Sequence, residues 1–146
     1  MIYQRPANTF IASFIGSPPM NLLEGHIKDG SLWIAGNRID PPAQWKKLLA
    51  EHQQLRIGIR REQCYLSDIP LLSGHVEFME YLGSQRCIHL RLHADGQRML
   101  YLLPADQPIP SGTIGLSFSW QHVNAFDWHT GSNIGHPKIL FQSYAC

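Results

Sequence analysis

Cysteine and charge are both scarce in this sequence. It has three cysteines, Cys64, Cys87 and Cys146, and none of them forms a CxxC pair. A sparse and odd set predicts reduced thiols, and we expect Cys64 and Cys87 to act as small hydrophobic residues in or beside strands. Charged residues make up only 16% of the chain and the net charge is +1. Because a general nucleic-acid binder usually carries a basic patch, this balance argues against nucleic acid as a partner.

Long apolar runs are also missing. No stretch approaches the roughly 20 apolar residues that a membrane-spanning helix needs, and the first residues lack the basic and apolar regions of a signal peptide. We therefore expect a cytoplasmic chain without direct membrane insertion. The 146 residues, of which 44% are hydrophobic, are enough for a folded domain with a buried core.

Recognisable catalytic and nucleotide-binding motifs are absent: there is no GxxxxGK[ST] loop, no GxSxG elbow and no HExxH helix. Asp127, Glu62 and Glu80 could each act as an acid or base, but none has a recognisable partner in the sequence. His89 and His93 are the best-spaced pair for a metal, yet that spacing chelates on a helix. The alternating apolar residues around them predict a strand, where four residues span roughly 13 Å. We predict no catalytic, cofactor-binding or metal site.

Alternation of apolar and polar residues predicts a mainly β fold. The segments Leu55–Arg60 and Ile114–Trp120 alternate cleanly, as expected for strands with one buried face and one polar face. Asp29-Gly30 and Asp95-Gly96 each suit a tight hairpin, because both central residues of that turn need a positive φ. Val76–Leu82 has apolar residues on both faces and is expected to be more central. Many short strands separated by turns favour an antiparallel barrel or sandwich.

Two short helices are predicted beside these strands. The first covers Pro6–Ile15 and is stopped by the prolines that follow it. The second begins near Asp40, which can cap it, with Pro41 in the first turn. Its apolar face consists of Trp45, Leu48 and Leu49.

A family resemblance is carried first by the segment Ile2–Leu23, which reads IYQRPANTFIASFIGSPPMNLL. It resembles the segment that follows the nucleotide-binding domain in ABC importer ATPases of the maltose, glycerol-3-phosphate and related sugar type. Three further blocks keep the family's order. They are Gly58-Ile59-Arg60-Arg61-Glu62, the strand Val76–Ser84 with its Leu-Gly, and Val123–Asp127 continuing to Thr130-Gly131. The resemblance leaves out the insert Pro41–Gln54 and the tail after Ile134.

This resemblance implies an OB-fold-like antiparallel barrel, the regulatory module often called TOBE. Residues 1–21 would be the junction with an ATPase domain, residues 22–135 the regulatory β-domain and residues 136–146 a divergent tail. ATP and Mg would bind the ATPase domain, so we expect no cofactor and no enzyme activity in this chain. The implied partners are a second copy through the β-domain, the ATPase domain, the transporter's membrane subunits and, in some members, a regulatory protein. The implied location is the inner face of the cell membrane.

A small-ligand sensor is the alternative function, since related modules bind oxyanions or metabolites. The candidate ligand or regulatory contacts are Gly58, Arg60, Arg61, Glu62, Gly83 and Ser84. Anions need donors such as guanidinium and hydroxyl groups, which Arg60, Arg61 and Ser84 offer. Arg61 also departs from the family pattern, because a proline usually stands at its position and would fix the backbone φ.

A stand-alone nucleic-acid-binding OB fold is a third hypothesis, from another class. Four strand aromatics could stack on bases, although such residues usually belong to the core and a charged groove is also needed. They are Tyr65, Phe78, Tyr81 and Trp120.

Overall fold

The structure, a computed structural model, describes residues 20–135 of the chain. Over this range the chain forms eleven strands and one α-helix. In chain order they are β1 (Met20–Lys28), β2 (Ser31–Ile34), β3 (Asn37–Ile39), α1 (Ala43–Leu49), β4 (Gln54–Arg60), β5 (Cys64–Leu66), β6 (Leu72–Leu82), β7 (Gln85–Leu92), β8 (Arg98–Leu103), β9 (Thr113–Phe118), β10 (Asn124–Asp127) and β11 (Asn133–Gly135). Short 3₁₀ turns lie at Arg61–Gln63 and Trp120–His122.

The strands form two antiparallel sheets. One has the order β11-β10-β4-β1-β2-β3 and the other the order β5-β9-β6-β7-β8. The mainly β fold predicted from the sequence is confirmed. Over residues 20–135 the two sheets do not close into one hydrogen-bonded barrel, which differs from the expected barrel.

The seam between the sheets is made by side chains where a closed barrel would have a backbone ladder. The side chain of Asn21 on β1 donates to the carbonyl of Leu100 on β8 and accepts from the Leu100 amide, both at 2.8 Å. The amide of Glu24 donates to the side-chain oxygen of Gln97 at 2.8 Å. Asn21 therefore satisfies the backbone of the edge strand β8 as a neighbouring strand would.

The core lies between the sheets and follows the predicted alternation in most strands. Leu55, Ile57 and Ile59 of β4 are fully buried, as are the core-facing residues of β7, β8 and β9. The other face of β4 differs from the prediction of a polar face, because Arg60 is only 2% exposed. Side chains of the two neighbouring strands cover this second face, since a Cβ at Gly58 would contact Met20 of β1 and Phe126 of β10.

Helix α1 confirms the predicted second helix and its buried face, since Trp45 and Leu49 are buried. Its start differs from the prediction. Pro42 is the N-cap, and the Asp40 carboxylate contacts Lys46 Nζ at 2.6 Å instead of capping the helix. The residue before a proline is disfavoured in the helical region, so the Pro41-Pro42 pair delays the helix until Ala43.

The two predicted hairpin turns have different outcomes. Asp29 and Gly30 both have positive φ, as predicted for the tight turn between β1 and β2. Asp95-Gly96 joins β7 to β8 but is not such a turn, because only Gly96 has a positive φ. The Asp95 carboxylate accepts from the Gln97 amide at 3.1 Å and holds a longer loop instead.

Strand β6 contains a bulge that changes which residues face the core. Val76 lies opposite Leu90 and Phe78 opposite His89, so Glu77 is an extra residue without a partner on β7. The bulge puts Phe78 on the outer face, although simple alternation would place it beside Val76 on the core face. Strand β6 pairs with β9 only from Leu72 to His75. The expectation that Val76–Leu82 is central is therefore wrong beyond Val76, whose amide donates to the carbonyl of Gly112 just before β9.

Helix length bears on any membrane-spanning role. None of the helices within residues 20–135 is long and apolar enough to cross a bilayer. The predicted helix Pro6–Ile15 and the tail 136–146 lie outside the described residues.

Candidate functional site

Two of the predicted contact residues have a packing role in the structure. A Cβ at Gly58 would lie within 2.9 Å of Phe126, so the missing side chain lets β4 and β10 pack closely. Arg60, at the end of β4, is buried at 2% exposure. Neither residue presents a polar side chain to solvent.

Arg61 and Glu62 lie in the 3₁₀ turn that follows β4. Arg61 Nη1 lies 3.7 Å from the Cys87 sulfur on β7, and its buried Nε has no hydrogen-bond acceptor among the described residues. Glu62 lies near Cys64, where its charge adds to the effect of burial on that thiol. This turn packs against β8 and places Arg61 beside Cys87 of β7.

Gly83 and Ser84 form the two-residue turn between β6 and β7, with Leu82 opposite Gln85. Gly83 has a φ of 65°, which favours glycine because a side chain is strained there. Ser84 is three residues from Cys87 along β7, or about 10 Å in a strand. The turn therefore does not form one site with Arg61, which contacts Cys87.

A cluster that the sequence did not predict lies on the outer face of the same hairpin. Potential ligand atoms of Glu80, Cys87 and His89 all lie within 4.8 Å of one another. His89 Nε2 contacts Glu80 Oε1 at 2.6 Å, and the imidazole stacks on Phe78 with 4.0 Å between ring centroids. His93, the histidine considered as its metal-binding partner, stacks instead against His75. Only the strand register could have revealed this cluster, since Cys87 and His89 are seven and nine residues from Glu80 along the chain.

The predicted burial of two cysteines is confirmed. Cys64 and Cys87 are both buried and reduced. Burial, with a smaller contribution from Glu62, raises the pKa of Cys64 to about 12. Burial also raises the pKa of Cys87, partly opposed by the Arg61 guanidinium. Cys87 is thus more than a hydrophobic filler, because it has a cationic neighbour and two potential metal ligands beside it.

Three of the four aromatics expected in the core are exposed instead. Tyr65 is 51% exposed, Phe78 52% and Tyr81 71%. Trp120 packs against Trp45 and Phe118. We call Phe78, Tyr81 and Leu82 the edge patch, because they lie on the part of β6 that has no strand on its β9 side within residues 20–135.

The carboxylates around the edge patch already have cationic or imidazole partners. Arg91 Nε lies 3.0 Å from Glu77 Oε2, and Arg98 lies nearby at 3.6 Å. The hydrogen bond from Arg91 lowers the pKa of Glu77. An edge of aromatics and carboxylates lacks the positive groove that single-stranded nucleic acid needs.

The closing Phe-Asp…Thr-Gly segment has a structural explanation. Asp127 Oδ1 accepts from the amides of His129 and Thr130, both at 2.8 Å, and these bonds lower the pKa of the carboxyl group. Gly131 has a φ of 74° in the same loop. Asp127 therefore organises the turn between β10 and β11.

A cavity of about 640 Å³ lies between α1 and the β1–β3 strands, and only part of its lining belongs to the segment that the family resemblance leaves out. Ile27, Leu32 and Leu49 form apolar walls, and Arg38 and Lys46 are also in the lining. Because the carboxylate of Asp40 lies beside Lys46, the cavity has no concentrated positive charge.

Comparisons with known proteins agree with the motif order. Residues 16–64 match the family model of the MalK OB-fold domain. The chain is 34% identical over 133 residues to the sn-glycerol-3-phosphate import ATP-binding protein UgpC of Jannaschia sp. (strain CCS1), covering 91% of this chain and 37% of that protein. It is 31% identical over 147 residues to the trehalose/maltose import ATP-binding protein MalK of Thermococcus litoralis, covering 91% and 39%. The chain thus spans little more than a third of either relative.

Among solved structures, the chain resembles the cytoplasmic molybdate-binding protein ModG with molybdate bound. The TM-score is 0.52 at 12% identity, with 72% of this chain and 94% of that chain covered. At this identity the likeness concerns the fold alone. The family match and the two relatives carry the assignment: this chain contains a MalK-type OB-fold domain, and over 91% of its length it is homologous to the ATP-binding proteins of glycerol-3-phosphate and trehalose/maltose import.

Proposed function

We propose that this chain is the regulatory and dimerisation domain of the ATP-binding subunit of a carbohydrate or glycerol-3-phosphate ABC importer. The observation that carries the proposal is the match over 91% of the chain to a glycerol-3-phosphate import ATP-binding protein. Residues 1–21 serve as the junction with the ATPase domain, residues 22–135 as the β-domain and residues 136–146 as a tail. Hydrolysis belongs to the ATPase domain, and this chain has no catalytic activity of its own.

A second copy of the chain is the partner that we assign to the edge patch. The peptide groups of residues 77–82 have no strand beside them on one side within the described range, and an open edge of this kind pairs readily with another strand. A two-fold axis through Met79 would place Phe78 opposite the partner's Glu80 and would keep the two Glu80 carboxylates from facing each other. Glu77 and Glu80 already have partners, which reduces repulsion between copies.

Sedimentation equilibrium over a concentration series tests the dimer. We expect the unaltered chain to dimerise and the double variant Phe78→Ser, Tyr81→Ser to stay monomeric with an unchanged circular dichroism spectrum. Ile69→Ser is the matched control, because Ile69 is 86% exposed but lies in the loop before β6. A chain that is monomeric at all concentrations, or a dimer that survives the double substitution, would contradict this assignment.

The regulatory role in transport needs a whole importer for its test. In the Jannaschia relative, the matched third of the ATP-binding protein would be replaced by this chain and glycerol-3-phosphate uptake measured in cells. We expect uptake with the unaltered chain and lower uptake with the edge-patch double variant at equal protein level. Equal uptake with both chains would show that transport needs the domain but not its dimerisation, and it would overturn the regulatory part of the proposal.

A small-oxyanion site is a second candidate function, supported by the buried Arg61 Nε, which has no acceptor within residues 20–135. A guanidinium N–H in this position gains a charge-assisted hydrogen bond if an oxyanion binds beside it. Thermal unfolding with phosphate, sulfate, molybdate and sugar phosphates tests this function. We expect at least one anion to raise the midpoint of the unaltered chain but not that of Arg61→Met. No shift with any of the anions would rule this candidate out.

A further inference from the structure

The outer face of the β6–β7 hairpin brings a thiol, an imidazole and a carboxylate together. Glu80 is the cross-strand partner of Cys87, and His89 lies two residues further along β7 on the same face. Their potential ligand atoms are all within 4.8 Å of one another. We propose that Glu80, Cys87 and His89 bind a divalent transition-metal ion, with Zn²⁺ as the best fit.

The donor set matches the chemistry of zinc. Zn²⁺ takes thiolate, imidazole and carboxylate ligands in tetrahedral geometry, and three protein ligands leave a fourth position for water or another donor. The negative charges of the Cys87 thiolate and the Glu80 carboxylate would balance the two charges of the ion. Hard cations such as Mg²⁺ prefer all-oxygen sites, so a thiol and an imidazole select against them.

The required rearrangement is small. Zinc–ligand bonds of 2.0–2.3 Å in a tetrahedron put neighbouring ligand atoms about 3.3–3.5 Å apart. The Glu80–His89 contact of 2.6 Å must therefore open by about 0.7–0.9 Å, and the other ligand atoms, all within 4.8 Å, must reach the same range. The Glu80 side chain is 50% exposed and can move without disturbing the core.

The surroundings of the cluster hold two of its members in place. Phe78 stacks on the His89 imidazole with 18° between the ring planes, which limits how the ring can turn. Arg61 Nη1 lies 3.7 Å from the Cys87 sulfur and can donate to the thiolate that metal binding creates. Such outer partners orient the ligands and tune metal sites. Cys87 itself is fixed in a paired part of β7, between β6 and β8.

A metal-free explanation of the cluster makes a different prediction. Glu80 and His89 could form only a cross-strand polar pair, in which case Cys87 would contribute nothing and metal would not bind with a thiolate ligand. Cobalt distinguishes the two cases, because Co²⁺ bound by a thiolate has a charge-transfer band in the near ultraviolet that carboxylate and imidazole ligands alone do not produce.

The experiment is a titration of the reduced full chain, without a histidine tag, with CoCl₂ and then with ZnCl₂. We expect one Co²⁺ per chain, a thiolate-to-cobalt band, and loss of the band when Zn²⁺ displaces cobalt. Cys87→Ser should abolish the band. His89→Gln and Glu80→Gln should each weaken Zn²⁺ binding at least about tenfold, as expected for loss of one ligand.

Matched controls are available in the same chain. Cys64→Ser and Cys146→Ser should both keep the band, and His93→Gln should keep the Zn²⁺ affinity. A chain without a thiolate band, a band that survives Cys87→Ser, or a band lost in Cys146→Ser would overturn the proposal. If Cys87→Ser fails to fold by circular dichroism, the His89 and Glu80 variants decide, and unchanged Zn²⁺ affinity in both would overturn it.

Discussion

The two halves of β6 belong to one strand but differ in their surroundings. Leu72, in the first half, is 1% exposed, and β9 pairs with β6 from Leu72 to His75. Tyr81, in the second half, is 71% exposed and has only β7 beside it within residues 20–135. The bulge at Glu77 separates the two halves, and after it the residues of β6 that alternation would place on one face lie on the other. Burial here is decided by the number of neighbouring strands and by register, and not by the hydropathy of the residues.

The largest change in the free energy of unfolding is expected for a substitution in the buried first half of β6. Leu72→Ala should lower the free energy of unfolding by about 3 kcal/mol, through lost apolar burial and the cavity left behind. Tyr81→Ala, the matched change in the second half, should alter it by about 0.5 kcal/mol or less. Urea unfolding of dilute, monomeric protein measures both. Equal losses would show that the two halves are buried alike in solution.

The second largest loss of stability is expected at the seam between the two sheets, where Asn21 of β1 meets Leu100 of β8. Asn21→Ala removes two hydrogen bonds to Leu100 and leaves the amide and the carbonyl of that residue without this partner, so we expect a loss of about 2 kcal/mol. The control is Gln97→Ala, which removes one exposed hydrogen bond to Glu24 at the same seam and should cost less. If Asn21→Ala is as mild as Gln97→Ala, β8 is an ordinary exposed edge like the second half of β6.

The reactivity of the Cys64 thiol should differ between the folded and the unfolded chain. Cys64 lies on β5, which pairs with β9, the strand beside the buried half of β6. Its pKa of about 12 lies above the model-peptide value of 9.0, so the folded state keeps the proton longer than the unfolded state does. Stability from the protonated thiol is complete below pH 9.0 and is lost as the pH rises through about 12. We expect iodoacetamide at pH 9 to alkylate Cys64 slowly in the folded chain and rapidly in urea, as followed by mass spectrometry.

Rapid alkylation of Cys64 in the folded chain would contradict this burial. The variant Cys64→Ala provides the control for stability. With Cys64→Ala, the unfolding free energy should fall less at alkaline pH than it does in the unaltered chain. Its dependence on pH below neutrality should stay the same.

The smallest effect is expected at the bulge between the halves. Arg91 lowers the pKa of Glu77 below 4.5, so this carboxylate contributes stability above pH 4.5 that is lost as the pH falls through its folded-state pKa. Glu77→Gln should therefore lower the thermal midpoint slightly at pH 7 and not at all in strong acid, because the ion pair is exposed. A difference that persists at pH 2 would assign Glu77 a role other than this ion pair. Asp106→Gln, at an exposed loop carboxylate, serves as the control.

Several local features were predictable because they depend on nearby residues. The alternation in Leu55–Arg60 predicted a strand with three buried residues, and the Asp29-Gly30 pair predicted its turn through the positive φ that both residues adopt. The apolar face of α1 followed from helical spacing. The start of that helix did not, because two consecutive prolines outweighed the capping ability of Asp40.

Strand register and the order of strands in each sheet could not be predicted from local sequence patterns. The bulge at Glu77 changes the face of every later residue in β6 and turns Phe78 to the outer face. Tyr81 is exposed for another reason, since no strand lies on the β9 side of β6 at that position within residues 20–135. The Glu80, Cys87 and His89 cluster depends on the same register. Asp95-Gly96 has the composition of a tight turn, but the Asp95 side chain bonds to Gln97 and stabilises a longer loop.

By itself, the sequence determined the mainly β class, the second helix, the buried state of Cys64 and Cys87 and, through its motifs, the family. These properties depend on residue type and on spacings of a few residues. Only the tertiary structure decided which half of β6 is exposed, how Asn21 joins the sheets and which side chains meet on the outer face. The physical reason is that long-range strand pairing sets register, and a shift of one residue moves a side chain to the opposite face.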